Sequence, residues 1–537
     1  MAKKTFFGGA VVLGAAGLLI KLLGACFRLP LANIIGDTGM AYYQAAYPVY
    51  VLLLTLSTAG IPVAISRMVA ERTALHHTKE AHRVFKASIL LLCMIGLASA
   101  AVLFFGAAAI AEYVKMPQAE LALKAIAPAL LVVPIMAAFR GYFQGMQNMK
   151  PTAVSQVIEQ VFRVGAGLLL AGLLLTYGVE FAAAGASFGA TAGGIGGLTA
   201  VLLIYLRQKK QIAQGLAQDV PCQRESYRKI LGQILLIAVP ITIGSAIMPI
   251  MNSIDLAIVT RRLVFAGYTV ESAHALYGQL TGMAGPLINF PQVLTQAVAM
   301  SLVPTVAAAY KTKDMDFLRH NVQLGYRTAM ILGLPCAVGM MTLAEPIMRL
   351  LYPSQEASAI SAAPCLFILA IGVVFLATVQ MLTGVLQGVG KQLIPVRNLC
   401  IGAVAKVILT YTLTAVPAIN VRGAAIGTVA AYVVASSLNL LAVKKYTGVR
   451  YDFKLTIGKP LLSVIIMAAA TLGTYHLGLL VLGDSWKASA LATVAAVGVA
   501  VIVYFTMILV LKAITPEELA LLPKGGKLVR ILKKFQK

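Results

Sequence analysis

Residues 5–36 read TFFGGAVVLGAAGLLIKLLGACFRLPLANIIG, and from Phe6 to Leu31 the only charges are Lys21 and Arg28. About 20 consecutive apolar residues suffice for a helix to cross a bilayer, so this stretch reads as a first transmembrane span. A charge at mid-bilayer costs roughly 2.5–3.5 kcal/mol on insertion scales. Two such charges in one helix are expected only where they face water, a partner or an anionic ligand.

The rest of the chain extends the reading. Of 537 residues, 59% are hydrophobic and 12% charged, and the mean hydropathy is +0.86. A soluble chain cannot bury that much apolar surface, so the expected class is an all-α polytopic membrane protein. Fourteen apolar runs recur, at about 5–31, 42–66, 86–111, 121–146, 152–177, 181–206, 231–259, 276–310, 325–350, 360–388, 393–417, 423–443, 457–480 and 488–511. The run 276–310 is too long for one straight span, with Pro286, Pro291 and Pro304 placed to bend it. Lys3-Lys4, the first apolar run and Leu23-Gly24-Ala25-Cys26 resemble a lipoprotein signal. Lys21 interrupts the core such a signal needs, so an uncleaved first span is expected.

The formal charge of +25 does not point to nucleic acid, because the cations cluster in short segments between apolar runs. Of 44 Lys and Arg, 31 fall on the side shared by both termini, seven on the other and six inside spans. Under the positive-inside rule both termini are expected on the cytoplasmic side, and an even span count is consistent with that. The tail Pro516–Lys537 is basic and reads as a surface helix. The six cysteines (Cys26, Cys93, Cys222, Cys336, Cys365, Cys400) are scattered without CxxC spacing and read as packing residues.

An internal repeat is visible. Gly60-Ile-Pro62 resembles Leu302-Val-Pro304 at an offset of 242, Phe143-Gln-Gly145 resembles Leu386-Gln-Gly388 at 243, and Pro151 matches Pro395 at 244. Six spans then recur as six spans of the same orientation, a transporter architecture with the substrate site between the halves. The expected division is 1–215, 216–450, two further spans in 451–512 and a basic tail in 513–537.

The candidate site residues follow from depth and repeat. Arg163 lies about 16 Å into its span at 1.5 Å per residue, near mid-membrane. The offset of 243 carries it to Lys406, equally deep in span 11. Glu159, four residues before Arg163, is placed to pair with it. No acidic residue occurs between Arg397 and Asp452 to serve Lys406 locally. Lys21 and Arg28, seven apart, share a helical face; Arg28 either lines a cavity or snorkels to the outer interface, and Arg140 is expected to snorkel at the cytoplasmic end of span 4. Asp255 either binds a coupling ion, pairs with a cation of the other lobe, or salt-bridges Arg261 or Arg262. Asn289, Gln292 and Gln296 share one face of span 8, lining a cavity or joining helices. Gly185, Gly189, Gly193 and Gly197 form a stripe suited to close helix packing. There is no Walker A, HExxH, GxSxG or paired-Cys zinc spacing, so no enzyme, metal or cofactor is expected.

The stretches IKLLGACFRLPLANIIGDTGMAYYQAAYPVY (20–50), GYFQGMQNMKPTAVSQVIEQVFR (141–163) and NFPQVLTQAVAMSLVP (289–304) resemble the stage V sporulation protein B group of polysaccharide exporters. That group belongs to the multidrug/oligosaccharidyl-lipid/polysaccharide (MOP) superfamily, which includes lipid II flippases such as MurJ. The resemblance implies two six-helix lobes in a MATE-like V around a cationic cavity, two extra C-terminal helices, and a monomer. It implies flipping of an undecaprenyl-diphosphate-linked saccharide, such as a peptidoglycan precursor, from the cytoplasmic to the outer leaflet by alternating access. Lys21 and Arg28 match two cavity positions of the flippases' first span, with Lys for Arg at the first. Where those flippases carry cations in spans 2 and 8, this chain reads LLLTLSTAG and GPLINFP, without charge. The expected substrate-binding set is Lys21, Arg28, Arg163, Lys406, Glu159, Asn289 and Gln292, with Asp255 and Glu159 as candidates for ion coupling. A drug/ion antiporter of the same fold is the competing reading. Cations outnumber carboxylates six to two inside the spans, which favours an anionic, lipid-linked substrate over a cationic drug.

Overall fold

Gly36 interrupts the first apolar stretch. Its φ of 70° and ψ of −175° suit glycine and almost no residue with a Cβ. Asp37 then starts a new segment, its Oδ1 accepting the Thr38 N–H at 2.7 Å. The structure is a computed structural model that describes residues 2–217, 224–449, 451, 454–483 and 485–511. Every regular element among them is helical. Thirteen helical stretches are long and apolar enough to cross a membrane. The first, Cys26–Ala74, runs 49 residues, about twice what a bilayer core needs. Gly36 lies within it, so thirteen stretches stand where fourteen runs were expected, the first two being joined in one helical stretch.

The chain forms two compact units, Met1–Val264 with Tyr268–Gly278, and Phe265–Gly267 with Gln279–Lys537. The first holds α1 (Ala2–Thr58), α2 (Ile61–Ala74), α3 (Thr78–Tyr113), α4 (Glu120–Ile126), α5 (Ala129–Gly145), α6 (Lys150–Leu174), α7 (Val179–Arg207), α8 (Lys209–Ala217), α9 (Tyr227–Phe265) and α10 (Val270–Gly278). The second holds a π-helical turn (Gln279–Ala284), then α11 (Gly285–Leu287), α12 (Asn289–Lys311), α13 (Met315–Thr342), α14 (Ala344–Leu351), α15 (Glu356–Gly388), α16 (Leu393–Leu413), α17 (Arg422–Thr447), α18 (Lys459–Leu482) and α19 (Trp486–Val510). The long run 276–310 is thus broken at its π turn and again at Ile288, two residues after Pro286. The tail Pro516–Lys537 and Cys222 lie outside the described residues. The other five cysteines are free thiols, and Cys26 is exposed rather than packed.

Span 7, α9, packs with the first unit although the sequence repeat assigns it to the second half. The backbone N–H of Gly60 donates to Thr242 Oγ1 at 3.2 Å, and a Cβ on Gly60 would run into the Ala238 carbonyl. Near the start of α9, Arg72 pairs with Glu225 and donates to Gln233 Oε1 at 3.2 Å. Near its end, Arg261 donates to the Tyr113 carbonyl at 2.7 and 3.1 Å and lies 3.9 Å from the Tyr113 ring centroid.

The repeat reappears inside each unit as matched close approaches. A Cβ on Gly141 would lie 2.9 Å from the Pro62 carbonyl, and one on Gly145 2.8 Å from the Ser66 carbonyl. In the second unit a Cβ on Gly384 would lie 2.8 Å from the Ala299 carbonyl, and one on Gly388 2.9 Å from that of Val303. Gly141 to Gly384 keeps the offset of 243, but Pro62 to Ala299 is 237. The equivalence of Pro62 with Pro304 at 242 is therefore five residues out of register; a shared proline was a weaker marker than the glycine contacts. In the second unit, α18 and α19 pack against α13, where Tyr504 donates to the Ile331 carbonyl at 2.6 Å.

Two outcomes are expected from these joints. Gly36→Ala puts a Cβ where φ is positive, and a lower unfolding temperature, from about 1–3 kcal/mol of strain, should appear in a thermal melt of the solubilised protein. Burial pushes the Glu225 carboxyl up, but hydrogen bonds from Arg72 and Lys229 outweigh this and hold it below the usual carboxylate range. A lowered folded-state pKa means the stabilisation is complete above the ordinary value and fades as pH falls through the lowered one. The melting difference between wild type and Glu225→Gln should therefore be full at neutral pH and vanish in strong acid.

Candidate functional site

α6 and α7 meet backbone to backbone, and that contact sets the place of Arg163. A Cβ on Gly189 would lie 2.7 Å from the Arg163 carbonyl, and one on Gly193 2.6 Å from the Glu159 carbonyl and 3.0 Å from Arg163 Cβ. Gly185 meets Leu170 in the same way, at 2.8 Å, and Gly197 lies 3.0 Å from Glu159 Cβ by that measure. The glycine stripe read from the sequence is this interface. At the edge of this interface α1 approaches α6: Phe27 fills the space beside Gly167, where a Cβ would lie 2.7 Å from its Cε2 and 3.2 Å from the Ala186 carbonyl of α7.

Phe27 brings Arg28 beside a row of tyrosines. Phe27 and Tyr43 stand edge to face at 6.0 Å, Tyr43 and Tyr47 stack at 5.8 Å, and Tyr47 and Tyr50 lie 6.1 Å apart. The half-buried Arg28 holds its guanidinium 5.8 Å from the Tyr47 ring centroid. Arg163 lies within electrostatic reach of Tyr43, Tyr47, Tyr50 and Glu159, and Tyr43 feels both arginines. Arg163 Nε is buried without a hydrogen-bond partner among the described residues. The tyrosines were not singled out from the sequence. Their signal was the spacing 43, 47, 50 in YQAAYPVY, one helical face before and after Pro48.

The carboxylate goes elsewhere. Glu159 Oε2 accepts from Arg140 Nη2 at 2.9 Å, and Arg140 Nε donates to Ser155 Oγ at 2.8 Å. Arg140 and Glu159 side chains are 13% and 16% exposed, so Arg140 does not snorkel to the interface. The expected Glu159–Arg163 pair is replaced because α5 delivers a second cation to the same carboxylate.

The other candidates are spread out. Arg28, Arg163 and Glu159 are brought together in the first unit; the Lys21 side chain lies outside the described residues. Lys406 is half-buried on α16 of the second unit. A Cβ on Gly427 would lie 3.0 Å from the Lys406 carbonyl, as one on Gly189 would from that of Arg163, and Gly423 meets Leu413 as Gly185 meets Leu170. Lys406 therefore occupies in its unit the place that Arg163 occupies in its own. Asn289 and Gln296 on α12 are exposed and Gln292 is half-buried, so they form one accessible polar face. Asp255 is half-buried on α9. Of its two suggested arginine partners, Arg261 directs its donors to Tyr113.

Residues 6–310, more than half of the chain, match the family model described as polysaccharide biosynthesis protein. The chain belongs to that family. A second model, MatE, matches residues 240–412. Stage V sporulation protein B of Bacillus subtilis is 28% identical over 533 residues, covering 98% of this chain and 100% of that protein. Lipid II flippase MurJ of the same organism is 27% identical, covering 92% of this chain and 94% of that protein. Among solved structures, lipid II flippase MurJ in an inward closed conformation matches with a TM-score of 0.68 at 15% identity, covering 93% of this chain and 98% of the other. An inward-facing MATE family transporter of the MOP superfamily matches at 0.63 and 16% identity, covering 80% and 94%. This member of the polysaccharide biosynthesis family thus has the all-α fold of MOP transporters, and the flippase and the MATE protein among the matches are transporters rather than enzymes.

The glycine interface makes a paired prediction. Gly189→Ala must push α7 off α6 and should lower the unfolding temperature by the equivalent of about 1–3 kcal/mol. Gly165→Ala, on α6 with nothing within 4 Å of the added Cβ, should not lower it in the same melt.

Proposed function

We propose that this protein is a flippase that moves an undecaprenyl-diphosphate-linked saccharide, a lipid II-like peptidoglycan precursor or another cell-wall unit, from the cytoplasmic to the outer leaflet of the bacterial plasma membrane. Both termini are cytoplasmic, and transport proceeds by alternating access. The observation that carries this reading is the Arg28–tyrosine–Arg163 cluster. Its two guanidinium groups sit among hydroxyls and ring faces, while the nearest carboxylate is committed to Arg140. Guanidinium is the side chain best matched to phosphate oxygens, through paired N–H donors. A single charge pair at 4 Å in an effective dielectric of 20 is worth about 4 kcal/mol, enough to draw a diphosphate into an apolar path. Lys406 is a further cation for the same substrate, Lys21 a neighbour of Arg28 on one helical face, and Asn289 and Gln292 hydrogen-bonding groups for the saccharide. Asp255 is assigned to a coupling cation. Residues 1–215 and 216–450 form two lobes of common ancestry.

The second reading is a drug/ion antiporter, favoured by the MatE match over 240–412. It would bind a cationic drug through a membrane carboxylate; Glu159 is paired with Arg140, so that role would fall to Asp255.

Depletion of the protein in cells, with lipid-linked precursors assayed by leaflet, should accumulate precursor on the inner leaflet. No accumulation would sink the flippase reading. Arg28→Ala and Lys406→Ala should each reduce transport at least tenfold at unchanged expression, since a tenfold loss needs only about 1.4 kcal/mol. Wild-type transport in both would make them structural charges.

A further inference from the structure

Glu159 and Arg163 stand four apart on α6 with the acid first, the order in which a helical ion pair forms most readily. The pair does not form. Glu159 is instead held by Arg140 at 2.9 Å. Arg140 is itself fixed by Ser155 at 2.8 Å, and the Ser155 hydroxyl is turned toward the Thr152 carbonyl, to which it donates at 2.9 Å. The Arg163 Nε remains buried and unpartnered. On the backbone side, Gly193 of α7 lies against the Glu159 carbonyl and Gly197 against its Cβ.

The second unit supplies an internal comparison. The offset of 243, established there by the Lys406 and Leu413 contacts, places Gly402 where Glu159 stands and Thr383 where Arg140 stands. Gly402 even makes the reciprocal helix contact, its Cβ position lying 2.5 Å from the Ala431 carbonyl. Where the carboxylate is absent its counter-cation is absent too, and the deep cation, Lys406, is retained. Arg140 thus accompanies Glu159 and not the helix fold.

We propose that Arg140 is a positioning residue that holds Glu159 away from Arg163, so that the Arg163 charge stays available to the diphosphate of the substrate. The chemical target rests on the flippase reading; the placement of Glu159 does not. Loss of Arg140 should return the carboxylate to Arg163 and neutralise it, so that transport fails through charge and not through folding. The specificity consequence is that Arg140 sets how anionic a ligand must be to enter.

The test uses full-length protein in lipid nanodiscs, farnesyl diphosphate as probe, and the structure of a variant. Arg140→Gln should weaken probe binding at least tenfold, and adding Glu159→Gln to it should restore binding to within threefold of wild type. A merely structural ion pair predicts no rescue. The proposal is overturned if R140Q binds as wild type does, or if the double variant stays as weak as R140Q. Independently of any ligand, the structure of R140Q should show Glu159 on Arg163; a carboxylate left in its original place overturns the proposal. If no protein, wild type included, binds the probe while Glu159 moves in R140Q, the positioning stands and the diphosphate reading fails. Should R140Q not fold, Ser155→Ala removes the hydroxyl that orients Arg140. A loss of probe binding, relieved by adding Glu159→Gln, is then expected, and unchanged binding overturns the proposal.

Discussion

Backbone contact between glycine-bearing helices carries this structure. Lipid tails are as apolar as leucine, so helices in a bilayer associate through close packing and hydrogen bonds and not through burial of oil from water. Gly185, Gly189, Gly193 and Gly197 bring α7 onto the carbonyls and Cβ atoms of α6, and in doing so set the height and rotation of Arg163. The same solution is used in the second unit, where Gly423 and Gly427 meet Leu413 and Lys406 and Gly402 meets Ala431. A cation deep in an apolar helix is placed twice by one kind of joint.

With the helices set, the charges are allotted. Arg72 serves Glu225, Arg261 serves the Tyr113 carbonyl, and Arg140 serves Glu159. Arg28 and Arg163 are left facing tyrosine rings and hydroxyls. An aromatic neighbour lowers the cost of a partly buried guanidinium without cancelling its charge, whereas a carboxylate would cancel it. That difference separates a site suited to an anion from an ordinary buried salt bridge.

Much of this was legible along the chain. Apolar runs of bilayer length, loops rich in Lys and Arg, the repeat, the glycine stripe and the deep cations are all one-dimensional patterns. The matching of Arg163 with Lys406 by offset is upheld by the glycine contacts on each. Other features were misread for identifiable reasons. The Pro62–Pro304 match is out of register because the segments before the matched glycines differ in length between the two units, which a shared proline does not reveal. Arg140 reads as an interfacial cation when only its distance from the span end is considered. Glu159 reads as the partner of Arg163 because i,i+4 spacing counts neighbours on one helix only.

The sequence by itself therefore determined the class of the protein, because bilayer thickness and helical period act on consecutive residues. Only the tertiary structure decided which carboxylate meets which cation, that α9 packs with the first unit, and that Tyr43 and Tyr47 lie within reach of both Arg28 and Arg163. Those outcomes depend on contacts between segments far apart in the chain, and a competing partner on a neighbouring helix overrides the nearest one on the same helix.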